Sequence, residues 1–205
     1  MHIITREEAI KELRKLIGVD LRKLADKYNV TVFKNGKLNK GWAGHVLEKY
    51  LGLGLSSLQA PNGQTWELKI VPLVRRGGIY LPKETMAITM INAENVADTD
   101  FEQSHLFEKL QSLIICGREF ENKEENRSIL ISVGTFDLVN EEIKKQVKKD
   151  YQLVQDTIKR EGFDRLSGEM GVLIQPRTKG PGHGSISRAF YARANFVKKI
   201  LSLNN

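Results

Sequence analysis

The sequence predicts a mixed α/β domain, with a central sheet of mixed strand direction flanked by helices. Three observations lead there. Helical spacing is sustained near both ends and most strongly over Glu141 to Glu161, where Ile143, Val147, Tyr151, Val154 and Ile158 form one stripe. Trp66 to Val74, Ala87 to Ile91 and Ile129 to Phe136 are aliphatic runs that read as strands. The order is helices, then strands with helices interleaved, then a final strand, loop and helix, which suits helices packed on a sheet. At 205 residues the chain is long enough for one well-buried core or for two small lobes.

Thr5-x-x-Glu8 is a capping box, followed at helical spacing by Ala9, Ile10, Leu13, Leu16 and Ile17. A second short helix starts at Asp20 and buries Leu21, Leu24 and Ala25. Val32 to Lys37 reads as a turn in which Asn35-Gly36 supplies positive φ. A helix covers about Gly41 to Leu51, with Gly52 as its stop, and Gly52 to Gly63 is a loop. The strand from Trp66 leads into a basic turn, Arg75-Arg76-Gly77-Gly78, and Ala87 to Ile91 is the next strand. Phe101 to Phe107 is helical and runs into a strand over Leu110 to Cys116. Arg118 to Arg127 is polar and charged enough for a surface loop, and Ile129 to Phe136 is a strand. After the long helix come a strand at Gly171 to Gln175, a Gly-rich basic loop from Pro176 to Ser187, and a closing helix at Ala194 to Leu203.

The 32 basic and 25 acidic residues give a net charge of +7, which suits a polyanionic partner without specifying one. One cysteine, Cys116, excludes an internal disulfide and fits a reducing cytoplasm. Because it ends the apolar run Leu113-Ile114-Ile115, a buried inert thiol is expected rather than a nucleophile. Met1 to Ile10 carries Arg6, Glu7 and Glu8 and is no signal peptide. No apolar run approaches the roughly 20 residues needed to cross a bilayer.

The chemistry concentrates at Ala60 to Lys69. On a strand, Glu67 and Lys69 share one face while Trp66, Leu68 and Ile70 share the other. A carboxylate is a ligand for a hard cation such as Mg²⁺, and an ammonium beside it can orient water or offset phosphate charge. On an exposed strand such a pair is more often a plain ion pair. Asn62, in the preceding turn, stands where a second acid would complete the cation site.

Gly41-Trp42-Ala43-Gly44-His45-Val46-Leu47-Glu48-Lys49-Tyr50-Leu51-Gly52, then Ala60-Pro61 and Trp66-Glu67-Leu68-Lys69, resembles the MutH family of mismatch-repair and related GATC-cutting restriction endonucleases. Ser104 to Leu110, Gln175-Pro176-Arg177-Thr178-Lys179 and Ser187 to Phe196 resemble later family blocks in the same order. The resemblance implies a restriction-endonuclease-like fold over residues 1–205, with two lobes around a DNA cleft. A catalytic lobe would span about 1–115 and a recognition lobe about 116–205. It assigns Glu67 as metal ligand, Lys69 as catalytic lysine, Glu48 to a helix facing the site, and Lys109 to the scissile phosphate. It places Asn62 at the first metal-binding acid, with a shorter spacing to Glu67 than in MutH. An amide there keeps an oxygen but loses the charge, so Mg²⁺ binding and cleavage should fall severely.

Three explanations of Asn62 stand: an inactivated variant, a naturally non-cleaving homologue, or an enzyme that recruits Glu48. The otherwise intact site favours the first. On the recognition side the resemblance implies base reading by Arg177 and Lys179, with methylation sensing at Tyr191 beside Arg188. His183 is a candidate phosphate contact. Arg75, Arg76 and Lys83 would add sequence-independent phosphate attraction. The lysines at 144, 145, 148 and 149 read as the solvated face of the long helix. The expected activity is Mg²⁺-dependent cleavage of double-stranded DNA at GATC or a related short site, of the type II restriction kind. A repair nickase is the alternative, and the protein would act as a monomer or a DNA-assembled homodimer.

Overall fold

The computed structural model describes residues 4–53, 65–180 and 186–201. Asn62 and His183 lie outside the described residues, as do most of the predicted loop from Gly52 to Gly63 and the last two residues of the predicted closing helix. The chain divides into two compact units, each discontinuous in sequence. Unit 1 comprises 1–83, 113–136 and 200–205; unit 2 comprises 84–112 and 137–199.

In unit 1, helix α1 (Arg6–Arg14) starts at the predicted capping box, with Thr5 and Glu8 bonding reciprocally. Its Arg6 donates to the carbonyl of Leu113 at 2.9 Å, tying the helix to the sheet. Asp20 caps helix α2 (Leu21–Lys27). A small hairpin, β1 (Phe33–Lys34) and β2 (Lys37–Leu38), turns at Asn35 and Gly36 with φ of 50° and 71°. Helix α3 (Trp42–Tyr50) follows, and its Trp42, Ala43, Val46 and Leu47 are buried.

The sheet of unit 1 runs in the order β4-β3-β6-β7, built from β3 (Glu67–Arg76), β4 (Ile79–Pro82), β6 (Leu113–Glu119) and β7 (Leu130–Phe136). β3 and β6 are parallel and the other pairs antiparallel. Leu68, Ile114 and Cys116 pack with the three helices in one apolar cluster that also takes in Ile70. That burial is the main stabilising contribution to this unit, and it fixes which face of β3 the alternate residues take.

In unit 2, strand β5 (Met86–Ile91) joins β8 (Ile174–Thr178) and β9 (Arg188–Ala192) in the antiparallel order β5-β9-β8. Helices α4 (Ala93–Asp98), α5 (His105–Gln111), α6 (Glu141–Glu161) and α7 (Ala194–Ile200) complete the elements. α6 has the predicted bounds, capped by Asn140 and ended by Gly162 at φ 95°. Its Tyr151 stacks on Phe190 of β9, with ring centroids 5.7 Å apart.

The α/β expectation, a mixed sheet with helices on it, is met. Several boundaries are corrected. β6 starts at Leu113 rather than Leu110, because Leu110 lies within the helix that Ser104 caps and Gln111 ends. The supposed loop Arg118 to Arg127 is partly core. Arg118 forks onto Glu125 at 2.7 and 2.8 Å and donates to Ser128, so two charges read as solvated are buried together. β8 lies three residues later than Gly171 to Gln175 and contains Pro176, which an edge strand tolerates. Arg75 and Arg76 end strand β3, and the turn itself is Gly77-Gly78. Strands β4 and β9 and helix α4 had no sequence signal strong enough to read.

Candidate functional site

Glu67 opens β3, two residues before Lys69, and both side chains project from the same face. Lys69 Nζ donates to Glu67 Oε1 at 2.6 Å. The Glu67 side chain is 5% exposed and that of Lys69 20%, so the pair is largely removed from water. Its neighbours across the parallel pairing are Leu113 and Ile115, both fully buried. An ion pair with apolar neighbours is a poor stabiliser, since desolvation offsets most of the attraction. Such a pair in such a place points to chemistry rather than to stability.

Glu48 is half-buried on α3 of the same unit. Lys109 is a buried lysine, 6% exposed, on α5 of unit 2. Whether a divalent cation suits this region can be judged from the donors. The Glu67 carboxylate is an appropriate hard ligand. Among the described residues, however, no three His, Cys, Asp or Glu gather, so these residues alone do not complete a cation site.

In unit 2, the register of β8 on β9 sets the predicted recognition residues on two faces. Gln175 pairs with Tyr191 and Arg177 with Ala189, so Arg177 and Tyr191 project from one face as diagonal neighbours. The guanidinium of Arg177 lies 5.9 Å from the Tyr191 ring centroid, and its Nη1 donates to Thr85 Oγ1 at 2.9 Å. Burial raises the Tyr191 hydroxyl above its ordinary value, opposed by the Arg177 charge and aided by Glu84. Arg188, paired with Thr178, takes the opposite face and sits 5.9 Å from the Phe163 ring centroid. Lys179 is exposed, and its backbone N–H bonds Ser187 to extend the hairpin. Arg75 and Arg76 are exposed in unit 1, with Arg75 5.9 Å from the Tyr80 ring centroid. Of the helix α6 lysines, Lys148 is paired with Glu102 and Lys144 lies over Phe107.

Sequence reading missed Thr85, which meets Arg177 from 92 positions away, and Asp150, whose carboxylate accepts from the backbone N–H groups of Val172, Leu173 and Ile174. A lone threonine between strands carries no local signal. Asp150 could have been noticed as an acid on the apolar stripe of the long helix.

Fold and pair together define a class, a mixed α/β protein with an acid-x-lysine pair at the start of a central strand. Comparison with known proteins adds what the chain resembles. The family described as DNA mismatch repair enzyme MutH matches residues 58–150, which includes Glu67, Lys69 and Lys109. The DNA mismatch repair protein MutH of Haemophilus influenzae (strain PittEE) is 25% identical, over 97% of this chain and 95% of its own. That of Klebsiella pneumoniae (strain 342) is 24% identical over 97% and 91%, and that of Escherichia coli O17:K52:H18 is 26% identical over 97% and 85%. A solved complex of the restriction endonuclease MvaI with cognate DNA aligns at a TM-score of 0.41 and 12% identity, over 96% of this chain and 97% of that one. Residues 58–150 thus match the MutH family model, and MutH proteins are similar to this chain along most of its length.

Proposed function

We propose that the chain is a sequence-specific, Mg²⁺-dependent endonuclease of double-stranded DNA, of the type II restriction kind, acting at GATC or a related short site. The observation that carries this reading is the largely buried Glu67–Lys69 pair, 2.6 Å apart at the start of β3 and inside the segment that matches the MutH family. Glu67 would hold the cation, with Asn62 standing where a second acid is wanted. Mg²⁺, when bound, supplies a Lewis acid for a phosphoryl oxygen and lowers the pKa of a bound water. Lys69, steered by Glu67, orients the attacking water and offsets phosphate charge. Lys109 stabilises the charge that develops on the scissile phosphate. Arg177 and Lys179 read base edges, Tyr191 senses adenine methylation, Arg188 is a further DNA-binding residue, and His183 contacts a phosphate. Arg75 and Arg76 hold phosphates without regard to sequence.

Asn62 makes this form a weak cutter or a binder only. Asn62→Asp is expected to raise cleavage of a supercoiled plasmid bearing GATC sites, with Mg²⁺, by on the order of 10²-fold or more, the scale on which one catalytic group acts. If the restored protein yields neither nicked nor linear DNA, the nuclease reading fails. A second reading, a repair nickase, is favoured by the mismatch-repair description of the family and its relatives. Nicked product alone supports it, and linear product supports the restriction enzyme. Among the described residues no helix is long and apolar enough to cross a membrane. We place the protein in the cytoplasm, acting as a monomer or as a homodimer assembled on DNA.

A further inference from the structure

The base-reading role proposed for Arg177 raises the question of what aims its side chain. An exposed arginine at a sheet edge ordinarily samples many rotamers, and ordering them opposes binding. Arg177 is held at two points from two other segments. Thr85, just before β5, accepts from Nη1 at 2.9 Å, and Tyr191 on β9 lies beside the guanidinium at 5.9 Å. The strand pairing makes this geometry a consequence of the sheet, since Arg177 and Tyr191 are diagonal neighbours on adjacent strands and β9 also pairs with β5. One N–H of the fork is thus engaged, and a guanidinium carries five. The remaining donors suffice for a bidentate contact to the O6 and N7 edge of guanine.

We propose that Thr85 is a positioning residue for sequence recognition, its hydroxyl fixing the guanidinium of Arg177 against Tyr191 so that the fork is pre-set for a guanine edge. The inference rests on the DNA-reading role of Arg177 and adds a residue that never touches the base. It separates specificity from affinity. Thr85 carries no charge, so its loss leaves the phosphate-driven part of binding intact.

The test compares the unaltered protein with Thr85→Ala, Thr85→Ser, Arg177→Ala and the Thr85→Ala/Arg177→Ala double variant. Affinity is measured at one salt concentration for a GATC duplex and for a scrambled duplex of equal length. Thr85→Ala should lower the ratio of the two affinities about 5- to 10-fold, part of what a good bidentate contact discriminates. It should leave the scrambled duplex unaffected, and Thr85→Ser should restore the ratio. In the Arg177→Ala background, Thr85→Ala should do nothing further. Without DNA, ¹⁵N relaxation at the Arg177 Nε–H should show the side chain loosened in Thr85→Ala and tightened again in Thr85→Ser. An unchanged ratio or an equally rigid Arg177 in Thr85→Ala overturns the positioning role, while a ratio lowered by Arg177→Ala keeps base reading intact. If Arg177→Ala also leaves the ratio unchanged, base reading falls and this inference with it.

Discussion

Glu67 and Lys69 illustrate how much one pair of side chains can carry. Each is costly to bury alone, and together they hold at 2.6 Å with 5% and 20% of their side chains exposed. Removing one partner withdraws the other's nearest counter-charge, a loss of up to about 3–5 kcal/mol when a well-buried pair is broken, whereas removing both is milder. Glu67→Gln and Lys69→Met should therefore each lower urea stability, and the double variant should lose clearly less than the sum of the two single losses, a measurable coupling in the cycle. Each single change should also abolish the cleavage gained by Asn62→Asp. Strictly additive stabilities would show that the two groups do not depend on one another. This pair was legible because a strand has period two and the spacing alone puts both groups on one face. Thr85 was not, because its partner is fixed by strand pairing between segments far apart in sequence. The opposite faces of Arg188 and Tyr191 required knowing that residues 188–192 are a strand.

At the scale of elements, α6 does more than cover a sheet. Its buried Asp150 accepts from three backbone N–H groups, those of Val172, Leu173 and Ile174 at 2.9, 2.7 and 2.8 Å, and from the side-chain amide of Gln146. Arg193 grips the same segment from its carbonyls, donating to Gly168, Glu169, Met170 and Gly171. Gly171 turns the chain at φ 75°, and a Cβ there would stand 1.9 Å from the carbonyl oxygen of Ile174. The entry to β8 is thus set by an anion on one side and a cation on the other. Asp150→Ala should cost about 3 kcal/mol or more, because it removes charge-assisted bonds and leaves buried donors unmet. Hydrogen exchange should locate the loss at the amides of Val172 to Ile174. Undiminished protection there would remove the assignment. Helices were the legible elements, since caps and 3.6-residue spacing are local: α1, α2, α3 and α6 all lie where sequence placed them. β6 and β8 were misplaced for physical reasons. In β6 a buried Arg118–Glu125 pair looks like a solvated run, and in β8 an edge position admits a proline.

At the scale of the whole chain, the polypeptide passes between units four times, at 83/84, 112/113, 136/137 and 199/200, so neither unit is one continuous stretch. Interleaving of this kind favours a single cooperative unfolding transition. Two buried protons, one in each unit, make that expectation measurable. Burial pushes the Cys116 thiol of unit 1 from about 9 up to about 12. In unit 2, burial chiefly, then the charge of Asp100, pushes the Tyr151 hydroxyl from about 10 up to about 12, and that hydroxyl donates to the carbonyl of Thr99. Both folded-state values lie above the unfolded ones, so the folded chain holds more protons at alkaline pH. The stabilising contribution of these groups is fully present below about pH 9 and is lost as pH rises through about 12. Urea midpoints should hold level on this account up to about pH 9 and fall beyond it. Cys116→Val, which keeps the volume and removes the ionisation, should flatten the early part of that decline. Tyr151→Phe should flatten the part above pH 10, although its lost hydrogen bond lowers stability at every pH. Because one transition is expected, both substitutions should reshape a single curve followed by either unit's signal. A wild-type curve that stays level from pH 9 to 11 would mean that neither proton is held by the fold.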